Sequence, residues 1–125
     1  LIGVPVAYVD WRRVWPVLGH FAIRSGGTTT AEALALEIKG GMRQLWICGD
    51  WQAVVLTQVH PDCVSIDFCA GFGREDWQED VDETIRAWAL ELGKSRIKVL
   101  ARPGWAKFAR ERGYRETHRE FERTV

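Results

Sequence analysis

The chain has 125 residues, 46% of them hydrophobic and 27% charged, with 17 bases balancing 17 acids. That suits one globular domain with one core, and no apolar run approaches the ~20 residues of a membrane helix. Three cysteines without CxxC spacing exclude a disulfide framework or a zinc cluster and read as small hydrophobes in a reducing compartment. The opening "LIGVPVAYVDWRR" reads as no secretory signal, because no basic stretch precedes an apolar one.

Asp10 predicts a capped helix through "WRRVWPVLGHFAIRSGG", with Trp11, Val14, Trp15, Leu18 and Phe21 or Ala22 at helical spacing and Gly26-Gly27 as its stop. Pro16 falls early in it, where it is tolerated near a first turn or kinks the helix. "TTTAEALALEIKGG" predicts a second helix, capped by Thr, with Ala33, Leu34, Leu36 and Ile38 apolar and Gly40-Gly41 closing it. The period then changes to two. Three strand-like runs follow, Gln44 to Cys48, Gln52 to Val59 and Cys63 to Ala70. The turns between them, at Gly49-Asp50 and His60-Pro61-Asp62, are too short for crossovers, so the runs form an antiparallel meander.

Trp77, Val81, Ile85, Trp88 and Leu92 make one apolar stripe on a long helix that stops at Gly93. "RIKVLA" then reads as a strand able to pair in parallel with the run ending at Ala70, a βαβ unit. Pro103 opens a short helix, "PGWAKFARERG", and "YRETHREFERTV" predicts a last, highly charged edge strand. The order predicts a single α/β (α+β) domain over residues 1–125, a mixed sheet with helices on both faces. From Lys94 onward ten bases face four acids, a surplus of six that the preceding residues balance. Such asymmetry marks either an acidic or nucleic-acid partner or, as the plainer reading, compensation within one fold.

The stretches "TTTAEALALEIKGGMRQLWIC", "GDWQAVVLTQV" and "TIRAWALELGKSRIKVLARPGWAKFARERGY" resemble the GNAT (acyl-CoA N-acyltransferase) superfamily from about Asp10 to the end. Within it, the Gln-Leu-Trp strand, the acidic glycine loop before a Trp and the Arg-Pro-Gly-Trp-Ala segment are most similar to small acetyltransferase-like proteins of phages and prophages. The resemblance implies acetyl-CoA as cofactor, held by backbone of a strand that splays from its parallel neighbour and by N–H groups at the following helix. Carried over, those positions are Phe68, Cys69, Ala70, Gly71, Phe72, Gly73 and Arg74. It also implies a base and an acid for amine acetylation, for which Asp67 and Tyr114 are the candidates. Strand alternation puts Asp67 on the face of Ser65 and Cys69; it is a base if that face lines the cleft and a plain polar residue if it faces solvent. Tyr114 is an acid or a packed aromatic.

The sequence departs from the family's Arg/Gln-x-x-Gly-x-Gly/Ala loop. In the frame set by Trp88 and Gly93, Gly73 stands at Arg/Gln, Asp76 at the first Gly and Gln78 at the last small residue. Glu75, Asp76, Glu79 and Asp80 would repel a pyrophosphate, leaving Arg74 as its cation; equally, acids in a first turn complement a helix dipole. Ala109 occupies the family's usual Tyr position. The expectation is thus an acetyl-CoA-dependent N-acyltransferase with a degenerate phosphate loop. Its alternative is a non-catalytic module whose partner is a virion or host protein, placed in the cytoplasm or the virion, without membrane or nucleic acid. None of His20, His60 and His118 has metal-ligand spacing.

Overall fold

The computed structural model describes residues 1–125. Five strands form one sheet in the order β1-β2-β3-β4-β5: Ile2–Val4, Gln44–Cys48, Ala53–Val59, Cys63–Gly71 and Arg96–Val99. β1 to β4 are antiparallel neighbours, and β5 runs parallel to β4. The meander and the βαβ unit are therefore as the turn lengths require. β1 has no counterpart in the sequence reading, because three residues carry no period. They pair with Leu45–Ile47 of β2.

The helices are α1 (Trp11–Arg24), α2 (Ala31–Lys39), α3 (Arg74–Glu91) and α4 (Ala106–Glu111), with short 3-10 turns at Val6–Tyr8 and Pro103–Trp105. Asp10 caps α1 by accepting from the Arg13 N–H, and Thr30 caps α2 by accepting from that of Ala33 at 3.1 Å. Pro16 lies inside α1 without dividing it.

The sheet separates two cores. On one face, Val14, Leu18 and Phe21 of α1 and Leu34, Ala35 and Ile38 of α2 pack against Leu45, Val54 and Leu56. On the other, Trp77, Val81, Ile85 and Ala89 of α3 pack against Trp46, Ala53, Val55, Val64 and Ile66. Burial of this kind supplies most of the stability. Three predicted core residues lie outside it: Trp15, Leu36 and Leu92 are exposed. The stripes they belong to are narrower than the sequence period suggests. α3 buries Ala89 and leaves Trp88 half-buried, its ring T-shaped to that of Trp46 with centroids 5.1 Å apart.

The predicted last strand does not form. Residues from Tyr114 onward have no helix or strand, and Phe121 is 89% exposed. The segment has polar residues at nearly every position, so neither face of a strand there would bury enough to order it. Three of the ten bases from Lys94 onward are neutralised locally: Arg96 by Asp62, Arg112 by Asp82, Glu79 and Glu83, and Arg119 by Glu116.

Candidate functional site

The site begins where β4 changes face. Leu56 pairs with Phe68 and Thr57 with Ile66, so Asp67 is an extra residue without a partner on β3, a β-bulge. Before it, Val64 and Ile66 point to the α3 core. After it, Cys69 points to that core while Phe68 and Ala70 point to the α1/α2 core. Strict alternation from Ser65 to Cys69 is therefore broken, which corrects the shared face inferred from sequence. Asp67 instead meets residues of the α2 side. Its Oδ2 accepts from Arg43 Nη1 at 2.7 Å, and Arg43 also pairs with Glu37. The same guanidinium lies 5.5 Å over the ring of Phe68, which stacks on Phe21 at 5.1 Å.

The bulge coincides with the end of parallel pairing. β4 and β5 pair from Cys63–Arg96 to Ile66–Val99, and the Leu100 N–H donates to the Ile66 carbonyl at 3.0 Å. Beyond this, Asp67 to Gly71 have no partner on the β5 side. Phe72 N–H still donates to the Gln52 carbonyl on the β3 side. By alternation the polar backbone groups of Cys69 and Gly71 face away from β3, into the wedge where β5 has diverged. One of them is engaged: the Cys69 carbonyl accepts from Arg24 Nη1 of α1 at 3.1 Å.

At the mouth of the wedge the chain turns into α3. Gly71 lies so close to β3 that an added Cβ would come within 2.8 Å of the Ala53 Cβ, so only glycine fits. Gly73 has φ 63°, the left-handed conformation that glycine adopts without cost, and it starts the helix. The turn is closed by its own side chains. The indole N–H of Trp77 donates to the Phe72 carbonyl at 2.9 Å. Gln52 Nε2 donates to the same carbonyl and to Asp76 Oδ2, each at 3.4 Å. An added Cβ on Gly73 would lie 3.1 Å from that Asp76 oxygen, so the carboxylate folds back over the helix entrance. Phe72 itself is exposed.

Arg74 stands beside this turn with its guanidinium 4.9 Å over the ring of Trp105, which in turn packs 5.8 Å from Trp77. Neither Arg74, Arg24 nor Arg102 has a carboxylate partner. Cys69 packs towards the α3 core, and desolvation pushes its thiol up to about 12. Tyr114 lies apart from the wedge. Its hydroxyl donates to Asp82 Oδ1 at 2.6 Å, while Arg112 Nε donates to the other carboxylate oxygen at 2.8 Å. Burial, and then the hydrogen bond to Asp82, raise the phenol well above its ordinary range.

The structure thus brings Phe68 to Arg74 together along one wedge and separates Tyr114 from it. Two participants were not foreseen: Arg24 and Gln52. Each is far in sequence from the glycine loop, and no local pattern marks it.

No protein-family model matches the sequence, and no curated protein matches it. Among solved structures, a probable acetyltransferase superposes with a TM-score of 0.72 at 10% identity, covering 99% of this chain and 95% of the other. The chain has the acetyltransferase fold. The same fold is shared with the aminoglycoside N-acetyltransferase AAC(6')-Iy in complex with CoA, at a TM-score of 0.65 and 14% identity, covering 99% and 98% of the two chains. It is shared too with a predicted acetyltransferase of Clostridium acetobutylicum solved with acetyl-CoA, at 0.61 and 12%, covering 90% of each chain. In this chain the wedge between β4 and β5 opens beside the entrance to α3. No helix of the chain is long and apolar enough to cross a membrane.

Proposed function

We propose that this chain binds acetyl-CoA along the unpaired half of β4 and transfers acyl groups to an amine. The observation that carries the reading is the divergence of β5 after Ile66, which leaves backbone polar groups of Cys69 and Gly71 without a strand partner. Such an edge suits an extended amide-bearing arm, which would add to the sheet as a strand does. Two of the solved structures with this fold contain CoA or acetyl-CoA, which supports the same ligand.

The residues fit the two ends of that ligand unequally. Phe68, Cys69, Ala70 and Gly71 would hold the pantetheine arm. Phe72, Gly73 and Arg74 would hold the pyrophosphate, with Arg74 as its cation and the Asp76 carboxylate opposing it. When bound, the cofactor would supply an activated acetyl thioester. Asp67 and Tyr114 both have their polar atoms committed, to Arg43 and Asp82. In this reading Asp67 holds the bulge in place and Tyr114 holds the end of α4 on α3. The acceptor amine then reaches the site already deprotonated, and polarisation of the thioester falls to backbone N–H groups of β4. Titration with acetyl-CoA by calorimetry, followed by thiol release in the presence of amines, tests this. Saturable binding with amine-dependent CoA release is expected, and no binding at millimolar acetyl-CoA would refute it.

A second reading has its own observation. Gln52 and Asp76 close the α3 entrance with protein groups, as in a fold kept for a protein partner. The sequence likeness to phage and prophage proteins makes a virion or host protein that partner. Failure of acetyl-CoA to bind would favour it.

A further inference from the structure

The edge of β4 that β5 leaves unpaired is not wholly bare. Arg24, the last residue of α1, donates from Nη1 to the Cys69 carbonyl at 3.1 Å. A carbonyl accepts best from donors near its own plane. For a carbonyl that faces out of a sheet edge, this is the side from which an added strand would donate. The guanidinium therefore stands in the place of the amide N–H of an incoming arm.

The root of this side chain is fixed, and its tip is not. Phe21, one turn earlier on α1, is fully buried and stacks at 5.1 Å on Phe68, the neighbour of Cys69. Ser25 follows Arg24, and its hydroxyl donates to the Ala22 carbonyl at 2.6 Å. The backbone of α1 thus keeps Arg24 beside β4. The half-buried guanidinium is held by less. Arg43 meets two carboxylates, Glu37 and Asp67, but Arg24 meets none, and the Cys69 carbonyl is its one hydrogen bond. Gly26 and Gly27 come next, at φ 70° and 91°, with open space where a Cβ would be. A guanidinium that leaves β4 can turn to water there. It stays at the C-terminal end of α1, where the helix dipole favours a cation. Release therefore costs one hydrogen bond to a neutral acceptor and no ion pair.

We propose that Arg24 is a self-inhibitory plug of the wedge, seated on the Cys69 carbonyl in the free protein and displaced when a pantetheine arm pairs with β4. The identity of the arm rests on the acyl-transfer reading; the Arg24–Cys69 contact does not. The apparent affinity is then the intrinsic one multiplied by the fraction of molecules with the plug out.

The test uses the intact chain and Arg24→Met, which keeps an unbranched apolar stem and removes the donors. Both are titrated with acetyl-CoA by calorimetry. Both are also titrated by NMR with pantetheine, which has the arm without phosphates, and with inorganic pyrophosphate, which has phosphates without the arm. Arg24→Met should bind pantetheine about fivefold or more tightly than the unsubstituted chain, and pyrophosphate within about twofold of it. If the variant does not fold, the unsubstituted chain carries the test. Its Arg24 guanidinium nitrogens should show hindered rotation in the free protein and free rotation once pantetheine saturates it. Equal or weaker pantetheine binding by Arg24→Met overturns the proposal, as does rotation that stays hindered at saturation. A loss of about tenfold or more in pyrophosphate affinity overturns it too, because Arg24 would then serve the phosphates. Equal binding of acetyl-CoA and of pantetheine by both chains would overturn the plug while upholding the acyl-transfer reading. No binding of either ligand by either chain would refute both.

Discussion

The Asp67 carboxylate accepts from Arg43 Nη1 at 2.7 Å, and this contact fixes the residue at which β4 both bulges and loses its parallel neighbour. Both side chains are largely buried, so removing one leaves the other poorly solvated. Asp67→Ala should cost about 1–3 kcal/mol of stability, read from urea denaturation. Acetyl-CoA affinity per folded molecule should weaken too, because the unpaired segment starts there. A loss of acyl transfer with stability unchanged would instead make Asp67 the base.

Asp76 stands over the α3 entrance, where a pyrophosphate would sit. Two unit charges about 4 Å apart interact by ~1 kcal/mol in water and ~4 kcal/mol near a protein surface. Asp76→Asn should therefore tighten acetyl-CoA binding by about fivefold or more, measured by calorimetry. It should lower helix stability by about 0.3–1 kcal/mol, since the acid complements the helix dipole. Arg74→Ala should act in the opposite sense on affinity.

Cys69 is held protonated by its surroundings, its thiol pushed up to about 12. The sign follows from linkage. A folded-state value above the unfolded one, ~8.5, gives a contribution fully present below that value and lost as pH rises through about 12. At about pH 8 the native thiol should react with a maleimide roughly a thousandfold more slowly than a free cysteine, scored by peptide mass spectrometry. Fast reaction would mean an exposed thiolate in the wedge.

Tyr114 and Arg112 share the buried Asp82 carboxylate and fasten the end of α4 to α3. Tyr114→Phe should cost about 1.5–3 kcal/mol, as loss of a hydrogen bond to a charged group does. Because the phenol is raised in the folded state, its contribution is intact below the ordinary tyrosine range and fades at higher pH. Ultraviolet titration should lose its latest-ionising tyrosine in this variant. Acetyl-CoA affinity should stay the same; a drop in the rate of acyl transfer alone would restore Tyr114 as an acid.

Much of the fold is written in local signals. Asp10 and Thr30 cap the helices they precede, and the period-two runs became β2, β3 and β4 with ends shifted by one residue at most. The stretch from Cys69 to Arg74 did mark the end of a strand and the entry to a helix. What was hidden depends on pairing between distant segments. β1 exists only because β2 offers an edge, and the bulge at Asp67 exists only in register with Leu56 and Thr57. Arg24 and Gln52 enter the site from α1 and the β2–β3 turn, which no spacing relates to the loop. The C-terminal strand failed for the opposite reason: a tolerable local pattern found nothing apolar to pack on.

The central claim is that the unpaired half of β4 receives acetyl-CoA, and amide hydrogen exchange tests it most directly. With ligand at about one-hundred-fold excess over its dissociation constant, the fold should gain ~2.7 kcal/mol. Within it, the Cys69 and Gly71 amides should slow more than those of β2 or β3, which already have partners on both sides. Exchange at Cys69 and Gly71 that is unchanged at millimolar acetyl-CoA would contradict the account.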